Sequence, residues 1–598
     1  MTGRTGRGWE DDGWRPQVWA PSAHAVGLST GSDEVAMVRR DDGWWAAPHT
    51  LPHGTDYAFT VDGSGPLPDP RSAWQPHGVH DPSRVFDPTR HRWADQGWAG
   101  RDVRGSVMYE LHVGTFTPAG TLDSAIERLP YLADLGVETI ELMPLAAFPG
   151  VHGWGYDGVA LYAVHEPYGG PAAFQRFVDA AHAEGLAVCL DVVYNHLGPS
   201  GNYLMRFGPY FTDTHETPWG WAVNLDAPGA EGTRAFLVDN AVRWMRDFHV
   251  DALRLDAVHA LADDSDRHLL AELADTVSAL AAEVGRPLAL VAESDLNDPR
   301  TVLPTADGGL GMTAQWADDV HHALHAWVTG ERHGYYADFG SAATLAHALT
   351  RVFVHDGGWS TFRGRTWGAP VPPGTDGHRF VVFAANHDQV GNRAMGDRPA
   401  SRLPAGRLAA SAAAVLTSPF TPMLFMGEEW GARTPFQYFT DHAEPELVEG
   451  IRRGRTEEFA GHGWAELYGG PPDVPDPQSL ETVHASRLDW TEPDRAEHAR
   501  LLRWYRTLTG LRRHEPELAS GDLDATRAVP APDDAWVVLH RGDLRVVLHV
   551  GEGAAEIPVG GEPAQLLAAW EPVEMRPGAV SLPGPGAAVV RVTSVEAR

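Results

Sequence analysis

The sequence predicts an α/β protein: a central (β/α)8 TIM barrel with an N-terminal β-sandwich and a small C-terminal β domain. Three observations carry that reading. From Arg101 onward, apolar strand-like segments alternate with stretches of helix length, close to eight times, which is the rhythm of a parallel sheet closed by helices. Before that point the chain is rich in Gly, Pro and Trp and carries short alternating runs. Past residue 515 the helices stop and short alternating runs return between Gly and Pro.

Taken in order, residues 1–100 contain Gln17-Val18-Trp19-Ala20 and Tyr57-Ala58-Phe59-Thr60-Val61, with turns at Asp41-Asp42-Gly43 and Asp62-Gly63. Such short runs between turns suit a small β-sandwich. The barrel is placed at 101–515. Its strands are expected at 107–113, 137–142, 186–193, 252–255, 288–292, 312–316, 380–384 and 423–426, the sixth being the least distinct. Helices are expected at 124–135, 172–184, 233–248, 266–284 and 341–354, with a last one at 494–511. The apolar stretch 408–426 carries Pro419, Pro422 and four hydroxyl residues, so it reads as a helix followed by a buried strand, not a membrane span. Runs at 536–539, 544–550 and 588–592 define the C-terminal β domain, 516–598.

A chain of 598 residues has length for two to four domains at about 150 residues each. The charge balance of −33 argues against nucleic acid or an anionic membrane as a partner, because both require clustered positive charge. All 47 basic residues are arginine. Without lysine there is no Schiff-base chemistry of the pyridoxal or aldolase kind and no lysine-bearing P-loop. The single cysteine, Cys189, excludes an internal disulfide and a multi-thiolate metal centre; a cytoplasmic setting follows as the expectation. The first ten residues lack the apolar core of a secretion signal. No cofactor is expected.

In such a barrel the chemistry sits at the C-terminal ends of the strands. Those ends are polar here: Asp191-Val192-Val193-Tyr194-Asn195-His196, Arg254-Leu255-Asp256-Ala257-Val258-His259, Ala292-Glu293-Ser294-Asp295 and Asn386-His387-Asp388-Gln389. Residues two apart on a strand share a face, so Arg254 and Asp256 both point into the barrel mouth. The arginine keeps that carboxylate ionised, as a nucleophile requires. Glu293 follows a wholly apolar strand, where poor solvation raises its pKa toward that of a usable acid. Two carboxyl groups with opposite shifts are what glycosidic bond cleavage demands. The bland alternative for Arg254 and Asp256, a buried ion pair, loses ground because acids stand at three separate strand ends.

These four blocks resemble, in order and spacing, the four short sequence blocks of the α-amylase family of glycoside hydrolases. The resemblance implies that Asp256 is the nucleophile forming a covalent glycosyl-enzyme, Glu293 the general acid and then base, and Asp388 the stabiliser of the oxocarbenium-like state. Retention of configuration rests on the same resemblance. His196, Arg254 and His387 would hold the sugar in the cleavage subsite, over an aromatic platform at Tyr156 in Gly153-Trp154-Gly155-Tyr156-Asp157. Further blocks resemble the branch of the family that hydrolyses the α-1,4 bond joining a maltooligosaccharide to a terminal trehalose. They are Pro68-Asp69-Pro70-Arg71, Trp74-Gln75-Pro76, Gly78-Val79-His80, the run from Gln315 to His322, the run from Asn386 to Arg393, and Gly427-Glu428-Glu429-Trp430. That likeness implies that Asp318, Asp319, His321, His322, His259, Gln389 and Asn392 line the site. It also implies maltooligosyltrehalose and related α-glucans as substrates, and a maltooligosyltrehalose synthase as pathway partner.

Trp219 and Trp221 suit sugar stacking or loop packing equally well. His321, His322 and His325 with Asp318 have the helical spacing of a metal site but no ligand from another segment; the sugar-binding reading explains the acids too, and no metal is assigned. Asn195 stands where many family members place a calcium ligand, without assignable companions. Glu428 and Glu429 fit substrate contact, capping or ion pairing. Cys189 reads as an inert core residue and Arg452-Arg453-Gly454-Arg455 as a solvated face. The rival readings are a glycogen-branching or debranching enzyme and, from another class, a non-catalytic glucan-binding protein.

Overall fold

The computed structural model describes residues 9–10, 13–459 and 464–593; most of the amino-terminal stretch read for a secretion signal, residues 1–8, lies outside these. Eight parallel strands close into a barrel in sequence order: β1 (Met108–Leu111), β2 (Thr139–Leu142), β3 (Ala187–Val192), β4 (Ala252–Leu255), β5 (Ala289–Ala292), β6 (Ala314–Trp316), β7 (Phe380–Phe383) and β8 (Thr421–Phe425). Closure comes from β8 against β1, with Met423 opposite Met108. Each strand is buried along its whole length, so none alternates between a buried and a solvated face.

The period of two still sorts the residues. Met108, Cys189, Ala252, Ala289, Val381 and Met423 belong to one small apolar cluster inside the barrel. One step further along the same faces stand Glu110, Glu141, Asp191 and Arg254. Register places Glu110 opposite Glu141 and Asp191 opposite Arg254. The barrel interior is thus apolar at its base and charged at its mouth, and that gradient makes the site.

Around the barrel lie α1 (Leu129–Leu135), α2 (Gly170–Ala183), α3 (Ala230–Asp247), α4 (Leu269–Val284), α5 (Asp318–Thr329), α6 (Ala342–Arg351), α7 (Ala405–Leu416) and α8 (Ala496–His514). The expected helix at 124–135 is split: a turn at Leu122–Ile126 precedes α1, whose first turn holds Pro130. Between β5 and β6 only two 3-10 turns occur, Pro299–Thr301 and Thr305–Asp307, so the sheet advances there without a helix. The stretch 408–426 is the end of α7 followed by β8, and no helix among the described residues is long and apolar enough to cross a membrane.

The N-terminal strands form a five-stranded, a three-stranded and a two-stranded antiparallel sheet, and the C-terminal strands a five-stranded and a three-stranded one. Both modules share one contiguous core with the outside of the barrel. Arg71 reaches from the N-terminal module to the Tyr162 hydroxyl at 2.8 Å and to Asp239 on α3 at 2.9 Å. On the C-terminal side, the Trp327 indole of α5 donates to the Asp534 carbonyl at 2.8 Å.

Candidate active site

Arg254 is the hub of the barrel mouth. Its side chain is fully buried. Nη1 donates to Asp191 Oδ2 and to Asp256 Oδ1, both at 2.8 Å, while Nη2 lies 2.9 Å from Glu293 Oε2 in an ion pair without hydrogen-bond geometry. The guanidinium also sits over the Trp316 ring at 4.3 Å. Carboxyl groups from the ends of β3, β4 and β5 therefore meet on one cation.

Their environments separate them. Burial pushes Asp256 upward, but Arg254, the Asn195 amide and His196 together outweigh it and hold the carboxyl below its ordinary range. The Asn195 amide donates to Asp256 Oδ2 at 2.8 Å and to its carbonyl at 2.7 Å. Glu293 goes the other way. Burial, with Asp256 and Asp388 nearby, raises it well above the ordinary range against the pull of Arg254. Its Oε2 accepts the Ala257 N–H at 2.7 Å. Ala257 aims that N–H from a left-handed conformation (φ 38°) that costs a side-chain-bearing residue about 1 kcal/mol or more, a strain of the kind held at functional sites. Asp191 is pushed up to about 6 by burial and by Asp256, against Arg254.

The third acid, Asp388, rides on the short helix His387–Gly391, capped by Asn386, whose side chain accepts the Gln389 N–H at 2.8 Å. Asn392 donates to Asp388 Oδ1 at 3.2 Å. The His387 ring stacks on Tyr156 (centroids 5.1 Å apart, 19° between planes), and the Tyr156 hydroxyl donates to Asp191 Oδ2 at 2.5 Å. His196 Nε2 bonds the Tyr156 carbonyl at 3.0 Å, and the ring stacks against Trp219 at 4.4 Å, nearly parallel. Trp219 is half exposed at a hairpin tip; Trp221, on the following strand, is exposed and does not join that stack.

The run at the start of α5 divides in two. Asp318 is pushed up to about 6 by burial and by Asp388, Asp319 and Asp295, against His322, so it stands with the cleft acids. His322, one turn on, shares its face. Asp319 and His321 are held by partners in the surrounding structure, Asp319 also lying 3.9 Å from His322. Asp319 Oδ2 accepts from the Asn297 amide (2.9 Å) and the backbone N–H groups of Val354 (2.8 Å) and His355 (2.9 Å). His321 is buried, with Nδ1 at 2.9 Å from the Ala384 carbonyl. Two residues apart on a helix, Asp319 and His321 diverge by about 200° and so flank Asp318 and His322 on opposite sides. His259 lies 4.0 Å from Asp295 at the mouth, and Gln389 borders a cavity of about 280 Å3 with His321, Glu331 and Arg393.

The α-amylase catalytic-domain family model matches residues 82–224. The chain is 54% identical over 585 residues to the malto-oligosyltrehalose trehalohydrolase of Arthrobacter ramosus, covering 96% of this chain and 99% of that protein. It is 53% identical over 542 residues to the protein of the same name from Rhizobium sp. strain M-11, covering 89% and 90%. The chain belongs to the malto-oligosyltrehalose trehalohydrolase family. It is a glycoside hydrolase of the α-amylase type. A crystal structure of an alpha-amylase-like protein from Salmonella typhimurium superposes over 99% of this chain and 100% of that one, with a TM-score of 0.89 at 36% identity.

Some residues of this trehalohydrolase-family site escaped the sequence reading. Asn195, weighed there only as a calcium ligand, spends its amide on Asp256. Glu110, inside the apolar run of β1, grips His387 from below. His325, read with the histidine cluster, is bonded to Glu331 at 2.9 Å. Among the described residues, the group of acids and histidine close enough to share a cation is His215, Asp226 and Asp264, where Asp226 Oδ2 already accepts from His215 Nε2 and the Asp264 N–H, both at 2.8 Å.

Proposed function

We propose that this chain cleaves the α-1,4-glucosidic bond next to the terminal trehalose of maltooligosyltrehalose, releasing trehalose and a maltooligosaccharide. The observation that carries the reading is the Arg254 junction, where two carboxyl groups meet one guanidinium and are shifted apart, Asp256 below its ordinary range and Glu293 well above it. In the first step an Asp256 oxygen attacks the anomeric carbon. The bond to the trehalose oxygen breaks, and that oxygen takes the Glu293 proton. Glu293, now a carboxylate, removes a proton from water as the water displaces Asp256 and restores the starting charges. Asp388 holds ring hydroxyls as positive charge builds on the sugar. Tyr156 and His387 pack beneath it, and His196 and Arg254 fix its position. Asp318, His322, His259 and Asn392 lie on the acceptor side, where a bent disaccharide needs oriented partners. The substrate class in the relatives' name supports the choice of acceptor. A partner that supplies the terminal trehalose linkage, a maltooligosyltrehalose synthase, follows from this substrate, and the buried single thiol suits a cytoplasmic setting.

Purified protein given maltotriosyl trehalose is expected to release free trehalose and maltotriose. Asp256→Asn and Glu293→Gln should each lower turnover by about a thousandfold or more with unchanged circular dichroism. Undiminished turnover in either variant refutes the roles, and α-1,6 branches built on amylose would make the chain a branching enzyme.

A further inference from the structure

We propose that Glu110 is a positioning residue for this reaction: its carboxylate grips both the ring and the backbone N–H of His387 and so fixes where the ring protons lie. The inference rests on the reading of Asp256, Glu293 and Asp388 as the catalytic set. Glu110 is buried on β1, opposite Glu141 and Phe425. Oε2 accepts the His387 backbone N–H at 2.9 Å, and Oε1 is in close contact with Nδ1. A carboxylate accepts only, so Nδ1 carries a proton in every state of the ring. The other nitrogen, Nε2, lies 3.4 Å from Asp388 Oδ2. In a neutral ring with Nδ1 protonated, Nε2 would turn a lone pair toward that carboxylate. Only the doubly protonated ring donates there and to a sugar hydroxyl.

The surroundings agree. The groups facing the ring are Glu110 from β1, Glu141 from β2, Asp191 from β3, Arg254 from β4, His112 from the end of β1 and Asp388 on its own helix, with Tyr156 stacked on one side. Burial pulls the imidazolium down, but Asp388 and Glu110 prevail over it and over Arg254, and His387 is pushed up to about 10. Glu141 is raised well above the ordinary range by burial and by Glu110, so of these two neighbouring acids Glu110 is the one matched to the cation.

The test removes the titration of the general acid and reads His387 through binding. Maltotriosyl trehalose is titrated by calorimetry into Glu293→Gln, and into Glu110→Gln and Glu110→Asp made in that background, from pH 5.5 to 9. Asp191 and Asp318, at about 6, titrate in all three proteins, so each affinity is read relative to Glu293→Gln at the same pH; against it Glu110→Gln should lose about tenfold as pH rises past the ordinary histidine value. Glu110→Asp, which keeps the charge, should restore a flat profile. A loss by the same factor at every pH, or none, overturns the proposal. Nitrogen shifts of 15N-histidine-labelled Glu293→Gln, with His387 assigned by His387→Asn, give a reading that needs no Glu110 variant to fold. Both ring nitrogens should be protonated at pH 8.5, and one bare nitrogen overturns the inference. If Glu293→Gln still turns over substrate, the catalytic assignment fails, and Glu110 is not the cause.

Discussion

The Asn195 amide donates to both the side chain and the carbonyl of Asp256, a carboxylate that burial alone would drive neutral. Each lost charge-assisted hydrogen bond of this kind moves a buried acid toward protonation. Asn195→Ala is therefore expected to raise the Asp256 pKa, and with it the acid limb of kcat/KM, by about one unit while turnover falls about tenfold. The sign is fixed, because removing a group that favours the charged form can only shift the limb to higher pH. A pH–rate profile with an unmoved acid limb would show that Arg254 and His196 set the charge without Asn195. At this scale Asp256, Glu293 and Asp388 were legible because acids at the ends of apolar strands have no structural reason to recur. Glu110 was not, because one acid within the run from Met108 to Leu111 looks like a strand residue until its neighbour across the barrel is known.

At the scale of elements, α5 is where sequence reading and structure part. Its first turns hold Asp318, Asp319, His321 and His322, and a sequence gives a helix's residues without its rotation about its own axis. Between β5 and β6 the sequence reading names no helix, and the chain there holds only two 3-10 turns that follow or begin at prolines. Two substitutions separate cleft from wall. Asp319→Ala leaves the Asn297, Val354 and His355 donors without an acceptor and should cost about 3 kcal/mol in chemical denaturation, with turnover of the folded enzyme kept within about threefold. Asp319 sits below its ordinary pKa when folded, so its contribution is present at neutral pH and is lost as pH falls below the unfolded value of about 4; the gap from wild type should close there. Asp318, held at about 6, works in the opposite sense: above that pH its charge costs stability. Asp318→Asn should keep or raise the melting temperature at pH 8 while lowering kcat/KM about tenfold or more. Equal effects of the two variants on stability and activity would place both side chains on one face.

For the molecule as a whole, the barrel is braced by the modules at its two ends. The ring of Trp19, in the N-terminal module, lies flush against Gly232 in the first turn of α3, so close that a Cβ there would meet the indole at 2.2 Å. Arg71 clamps the same helix through Asp239. Glycine inside a helix ordinarily costs about 1 kcal/mol relative to alanine, so a Gly→Ala change in an exposed helix stabilises. Gly450, in the helix Pro445–Glu458, is such a case, since a Cβ there meets nothing within 4 Å. Gly450→Ala is expected to gain about 1 kcal/mol, and Gly232→Ala to lose about 1–3 kcal/mol because the indole cannot yield without leaving its seat. Calorimetric scans of the two variants beside wild type read the difference directly. Trehalose release at 25 °C should match wild type in both, because Arg254 and the three acids hang from β4, β5 and the helix after β7, not from α3. If Gly232→Ala stabilises as much as Gly450→Ala, the contact between module and barrel is loose, and the N-terminal sheets hold to the barrel through Arg71 and the remaining shared core alone.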